Sequence, residues 1–132
     1  MSRLHADRAN ALATTFGRPI AYVPVVTWAG NTIGTQSGFY LRLPGLLQVW
    51  VSFTETAGTA NALMTITLPF GVTAVTHTGG LTCAVGNVGN GTNSSDTVLT
   101  VLSGAVTTMQ SLRNVTGVVA TWTGYGAIPI LG

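Results

Sequence analysis

The side chains able to do chemistry in this sequence are few and far apart. His5 and His77 stand 72 positions from each other, and no Cys, His or Asp around either has the spacing of a metal site. Both read as core or surface histidines. Cys83 is the only cysteine; it can form no disulfide within the chain and reads as a small buried apolar residue rather than a reactive thiol. Glycoside hydrolysis needs two carboxylates flanking the bond that breaks, and beyond residue 18 only Glu55 and Asp96 are acidic. Both fall in predicted turns, where they keep loops hydrated. The sequence therefore offers no catalytic set, no metal set and no cofactor site, and it is read as that of a non-enzyme.

Two motif-like stretches fail on inspection. Gly34–Gly38, GTQSG, resembles the turn that carries a nucleophilic serine, but Ser37 is at the fourth position instead of the third and no helical pattern follows. It reads as a turn leading into a strand. Gly86–Gly91, GNVGNG, resembles a phosphate-cradling loop, yet its glycine spacing is wrong and neither a lysine nor a helix start comes after it. The longer run Asn87–Asp96 reads as a surface loop, with Asn87, Asn90, Asn93 and Asp96 as its candidate binding residues. Asn90, Asn93 and Asn114 begin glycosylation sequons, which the abundance of Asn, Ser and Thr explains without glycans. The aromatic residues Tyr22, Trp28, Tyr40, Trp50, Trp122 and Tyr125 would stack on sugars if grouped on an exposed face; core and subunit contacts are their commoner use.

The elements that must carry these residues follow from composition. The 132-residue chain fits one domain large enough to bury a core. Charged residues make up 6% of it and lysine is absent, against roughly 25% in an ordinary domain. Mean hydropathy is +0.48, yet no run approaches the ~18 consecutive apolar residues of a spanning helix, and no membrane insertion is expected. The stretch MSRLHADRANALATT lacks the apolar centre of a secretory signal. Residues 1–18 hold three Arg and one Asp, a net +2, whereas residues 19–132 hold two Arg and two acids, a net zero. Phosphate binding wants a basic stripe, and nothing after Arg18 supplies one, so nucleic acid is not an expected partner. A body so poor in charge must cover apolar surface in water, most commonly by self-association.

Residues 1–18 read as an arm, helical or extended, in which Leu4, Ala11 and Leu12 could line one face of a short helix. From Ile20 onward Thr, Val and Gly dominate, and residues 19–132 read as one antiparallel all-β unit, a sandwich or barrel of eight or nine strands. Strands are expected near Ala21–Trp28, Gly38–Leu43, Leu46–Thr54, Ala62–Leu68, Val72–Thr78, Leu81–Val88, Thr97–Ser103, Val106–Leu112 and Val115–Trp122. Ser37–Phe53, SGFYLRLPGLLQVWVSF, is apolar on both alternating faces, so both need burial. Val49, Val51 and Phe53 are assigned to the core, and Trp50, with Tyr40 and Arg42, to a subunit interface.

The order Pro24, Trp28, Gly34, Gly38-Phe39-Tyr40-Leu41-Arg42, Val49-Trp50-Val51 and Leu68-Pro69 resembles that of small jelly-roll modules in tailed-bacteriophage virion proteins. The likeness spans about the first half of the body. Leu43-Pro44-Gly45-Leu46-Leu47 departs from it, since the family usually places a small turn residue directly after the Arg. The resemblance implies a jelly roll shaped like the tumour-necrosis-factor and complement C1q heads, commonly a homotrimer on capsids, tails or fibre tips. On that basis the expected role is a homotrimeric capsid decoration protein on the outer surface of the phage head, held to the major capsid protein by an arm carrying Arg3, Arg8 and Arg18. The alternative is a tail-tip or fibre knob that binds a host-surface glycan through the Asn87–Asp96 loop.

Overall fold

The computed structural model of the protein describes residues 18–75, 83–91, 96–102 and 105–130, without the side chains of Cys83, Leu102, Ala105 and Val106. The arm with Arg3, His5 and Arg8, together with His77, Asn93, the end of the strand expected at Val72–Thr78 and the burial expected of Cys83, lies outside the described residues.

The described chain is all β, with eleven strands: β1 (Ile20–Tyr22), β2 (Val26–Trp28), β3 (Thr32–Leu43), β4 (Leu46–Ala57), β5 (Asn61–Ala62), β6 (Met64–Thr67), β7 (Cys83–Gly89), β8 (Thr97–Leu102), β9 (Ala105–Ser111), β10 (Val115–Thr116) and β11 (Ala120–Pro129). Nine of them form one antiparallel sheet in the order β1-β3-β4-β11-β7-β8-β9-β6-β2, and β5 pairs with β10 in a separate ribbon. The sheet curls strongly on itself, giving an antiparallel sandwich of the jelly-roll type.

The curl follows from the segment Ile20–Trp28. Proline cannot extend a strand ladder, and Pro24 divides the strand expected at Ala21–Trp28 into two pieces. These take the opposite edges of the nine-stranded sheet, which brings the edges together. Side chains then stitch the seam. The Gln36 Oε1 accepts from the Val26 N–H at 2.6 Å, the Tyr22 hydroxyl donates to the Thr67 carbonyl at 3.2 Å, and the Val25 N–H donates to the Thr67 Oγ1 at 2.8 Å.

The hairpin β3–β4 turns on Pro44-Gly45 alone, with Gly45 at φ 73°, a conformation that costs glycine little. The departure from the family pattern is thus a tight turn. It fixes a register in which Val49 faces Tyr40 and Trp50 faces Phe39. Alternation along β4 does the rest: Leu47, Val49, Val51, Phe53 and Glu55 are buried, while Gln48, Trp50, Ser52 and Thr54 are half-buried on the outer face. Inside, Phe53 lies parallel to Trp122 with ring centroids 6.3 Å apart, and Trp28 meets Trp122 edge-on at 5.0 Å. The Trp28 indole N–H is shared between the Ala62 and Val115 carbonyls at 3.2 and 3.1 Å, which ties the β5–β10 ribbon to the core.

Four expectations need correction. The strand expected from Val72 is absent over its described residues 72–75, where only Ala74 pairs, as an isolated bridge to Ile130. Gly34–Gly38 is not a turn but part of β3, with a bulge between Ile33 and Gln36 where the Thr54 Oγ1 accepts the Thr35 N–H at 3.1 Å. The strand expected at Val115–Trp122 is two, β10 and β11, and the second runs on to Pro129. The loop expected from Asn87 starts later, because β7 continues through Gly89.

Candidate functional site

The outer face of the sheet carries a row of rings. Direct register partners in an antiparallel pair point to the same face, and Ala21, Phe39, Trp50, Tyr125 and Asn87 are successive partners across β1, β3, β4, β11 and β7. Phe39 stacks on Trp50 at 4.9 Å with 18° between the planes, and Trp50 meets Tyr125 at 5.5 Å, tilted by 54°. Phe39 and Tyr125 remain 43% and 39% exposed, too open for core residues. The Gln48 amide donates to the Tyr125 hydroxyl at 3.3 Å, which orients the phenol and leaves its proton for another acceptor.

One pleat along, the partners are Ser37, Ser52, Thr123 and Gly89. The outer face thus bears a wall of aromatic rings beside a floor of small hydroxyls. Two hollows lie along that junction. One, of about 220 Å³, is lined by Ser37, Phe39, Trp50 and Ser52. The other, of about 390 Å³, is lined by Trp50, Tyr125, Thr123, Asn87, Gly91 and Asp96. Asp96 closes its far end: a Cβ on Gly89 would collide with the Asp96 carboxylate, so glycine is what lets that side chain lie over β7. A third hollow of about 360 Å³ continues past Asn87 to Leu112 and Arg113. Arg113 donates to the Asp96 carbonyl at 3.5 Å.

The residues singled out by sequence separate onto different faces. Trp50 is on the outer row. Tyr40 and Arg42 partner Val49 and Leu47 and so share their inward side; Tyr40 is edge-on to Tyr22 at 5.8 Å and packs on the core. The three do not form one surface, because Tyr40 and Arg42 are an odd number of positions from Trp50's partner Phe39. Asn87 and Asp96 join Trp50 in the trough, and Asn90 directly follows β7. Arg18 is exposed ahead of β1. Sequence reading missed Phe39 and the position of Tyr125. The signal for Tyr125 was the alternation TWTGYGAI, in which the buried positions after Trp122 are Gly124, Gly126 and Ile128; with glycine at the first two, the strand was ended at Trp122.

The two body acids do not meet. Asp96 is exposed, whereas Glu55 is 2% exposed and turned inward, its Oε2 accepting the Val118 N–H at 2.6 Å. Its other oxygen has no hydrogen-bond partner among the described residues. Burial pushes the Glu55 carboxyl above the usual carboxylate range, and the Val118 N–H opposes this in part. Burial likewise raises the Tyr22 phenol. No group of three or more His, Cys, Asp or Glu that could hold a metal occurs among the described residues, and no described helix is long and apolar enough to cross a membrane. The surface geometry suits binding: rigid rings, neutral hydroxyls and amides, and one carboxylate. No family model, no curated protein and no solved structure matches the chain.

Proposed function

We propose that the chain is a non-enzymatic structural protein of a phage virion, a self-associating decoration protein on the outer surface of the head, most simply a homotrimer, attached to the major capsid protein through residues 1–18. One observation carries this reading: the described body sets large apolar side chains in water with almost no charge around them. Val23, Val25, Phe70 and Val119 are 70, 54, 105 and 64% exposed, while the charged residues of the described chain are Arg18, Arg42, Glu55, Asp96 and Arg113, of which Glu55 is buried. Such a surface is stabilised by covering it with further copies. The resemblance of the Tyr22–Phe70 region and the sandwich architecture support the virion context. With Tyr40 and Arg42 turned inward, subunit contact falls to these exposed apolar side chains instead of the trio assigned from sequence.

The test combines mass and location. Light scattering on the full chain should give about three times the monomer mass, and deletion of residues 2–15 should keep that mass while abolishing sedimentation with capsids. A monomer at micromolar concentration removes the burial argument; capsid binding by the truncated protein removes the arm.

The trough favours a second reading, a receptor-binding knob at a tail tip or fibre. Its rings are grouped on an exposed face, the condition under which aromatic residues serve a ligand as well as a core.

A further inference from the structure

We infer that the trough across β3, β4, β11 and β7 is a binding site for a neutral polysaccharide chain, with Tyr125 as its stacking residue, Trp50 as the ring that holds Tyr125 in place and Asp96 as the acceptor at its closed end. This rests on the second reading above and names its ligand class. Three features of the trough select that chemistry.

The first is the pairing of rings with hydroxyls. A sugar ring has an apolar C–H face and a rim of hydroxyls, so its complement is an aromatic wall beside small polar groups. Phe39, Trp50 and Tyr125 supply the wall, and Ser37, Ser52 and Thr123 the floor. Ring spacings of 4.9 and 5.5 Å follow the strand spacing, which gives a wall about 10 Å long, room for a short run of sugars and not for one alone. Tyr125 has no ring on its β7 side, where its register partner is Asn87, so that flank can take a sugar face.

The second is charge. Among the described residues the 390 Å³ hollow is lined by one carboxylate, Asp96, and no cation; Arg113 lines only the hollow beyond it. Acidic glycans and nucleic acids need cations along their path. A neutral chain needs hydroxyl acceptors and donors, and Asp96, Asn87 and the Gln48-oriented Tyr125 hydroxyl provide both.

The third is preorganisation. Trp50 is held between two rings, on strands with ten consecutive register pairs between β4 and β11, so little side-chain freedom is lost when a ligand arrives. Sites of this kind, concave and largely preformed with a few convergent polar groups, are the usual ones for small ligands.

The experiment is affinity electrophoresis of the full-length protein in native gels containing a neutral β-glucan, a galactomannan or a soluble chitin oligomer, with hyaluronate and duplex DNA as anionic controls. At least one neutral polysaccharide should retard the protein and the anionic polymers should not. Tyr125→Ala should weaken retardation about tenfold, the order expected when one stacking contact is removed, Trp50→Ala should weaken it too by taking away the ring that holds Tyr125 in place, and Thr73→Ala, exposed and outside the trough, should leave it unchanged. Two trough variants are used so that a folding defect in one, seen by near-ultraviolet circular dichroism, leaves the other to decide. Retardation by none of the neutral polymers overturns the inference, as does retardation of both trough variants as strong as that of the wild type. Conversion of an oligomer to monomer by Trp50→Ala, with no polysaccharide bound, overturns it too and makes the trough a subunit seam. Light scattering and capsid sedimentation are read separately, so failure of the glycan site leaves the decoration reading standing or falling by itself.

Discussion

Glu55→Gln should make the protein more stable at neutral and alkaline pH and leave its stability near pH 3 almost unchanged. Glu55 ends the core-facing row of β4, opposite Ala120, with one oxygen bonded to the Val118 N–H and the other without a partner among the described residues. A Cβ on Gly117 would collide with both that free oxygen and the Asn31 Oδ1, so two acceptor oxygens crowd the same small space. Ionised, the carboxylate keeps one hydrogen bond and loses the hydration of its second oxygen. Protonated, it loses the desolvation penalty and gains a donor in a neighbourhood of acceptors. Its carboxyl is accordingly raised. The sign follows from linkage: between the ordinary carboxylate pKa and the raised one the folded state binds more protons than the unfolded, so stability falls as pH rises through that window and the loss is complete above it. Gln retains the shape and the acceptor for Val118 and replaces the unpaired oxygen with a donor. A buried group left without a partner costs about 1–3 kcal/mol, more when charged, which for a domain of this size amounts to roughly 5–15 °C in Tm at pH 8. Thermal melts of the wild type and Glu55→Gln from pH 3 to pH 9 test this. Wild-type stability should decline toward alkaline pH relative to the variant. Parallel curves, or a variant less stable at pH 8 than the wild type, would refute the assignment of a penalised carboxylate.

Two other sites give sharp expectations. Gln36→Leu removes the acceptor of the Val26 N–H at the seam where the sheet edges meet, so it should lower stability by about 1–3 kcal/mol in urea melts and speed amide exchange in β2; an unchanged midpoint would mean that the seam holds without it. Gly117→Ala drives a methyl into Asn31 and Glu55 and should cost about 1–3 kcal/mol by overpacking. Its deficit should shrink when Glu55 is already Gln, because the amide can donate to Asn31, and strictly additive losses in the double-mutant cycle would count against a shared cluster.

The parts of the fold legible in the sequence were those where side-chain size alternates. Leu46–Thr54 was read correctly because Leu47, Val49, Val51 and Phe53 announce an inner face. Thr97–Ser103 and Val106–Leu112 were placed within about a residue from their Thr and Val content between turn residues. The far half of β11 was illegible because its inner positions are glycines: a Cβ on Gly126 would stand 2.8 Å from the Met109 sulfur, so the residue is small for lack of room and not to make a turn. Gly34 misled likewise, its glycine serving the β3 bulge opposite Thr54. Glu55 looked like a loop acid because β4 runs three residues beyond its apolar run, and nothing local signals that a carboxylate will be folded inward. The trough was half legible. Trp50 was placed on the face opposite the core, as a subunit contact, but its neighbours Phe39 and Tyr125 come from strands 11 positions before and 75 after it, and only the register of two separate pairings brings the three rings together.

Register also explains why the rings sit where they do. β4 is flanked by β3 on one side and β11 on the other, with ten register pairs to each, which makes its centre the part of the outer face least free to move. Rings placed there need no loop to hold them, and Pro44-Gly45 sets their alignment on the β3 side by fixing the hairpin. The far end of the trough is different: Asp96 stands just ahead of β8 and reaches Gly89 from outside the sheet. A site built this way divides its tasks between strands and loop. If the trough binds sugars as proposed, changes at Trp50 or Tyr125 should alter whether a chain is held at all, whereas changes at Asp96 should alter which hydroxyl pattern is accepted at its end. Such a division lets binding preference vary through a few loop residues while the sandwich, its seam and its exposed apolar surface stay as they are.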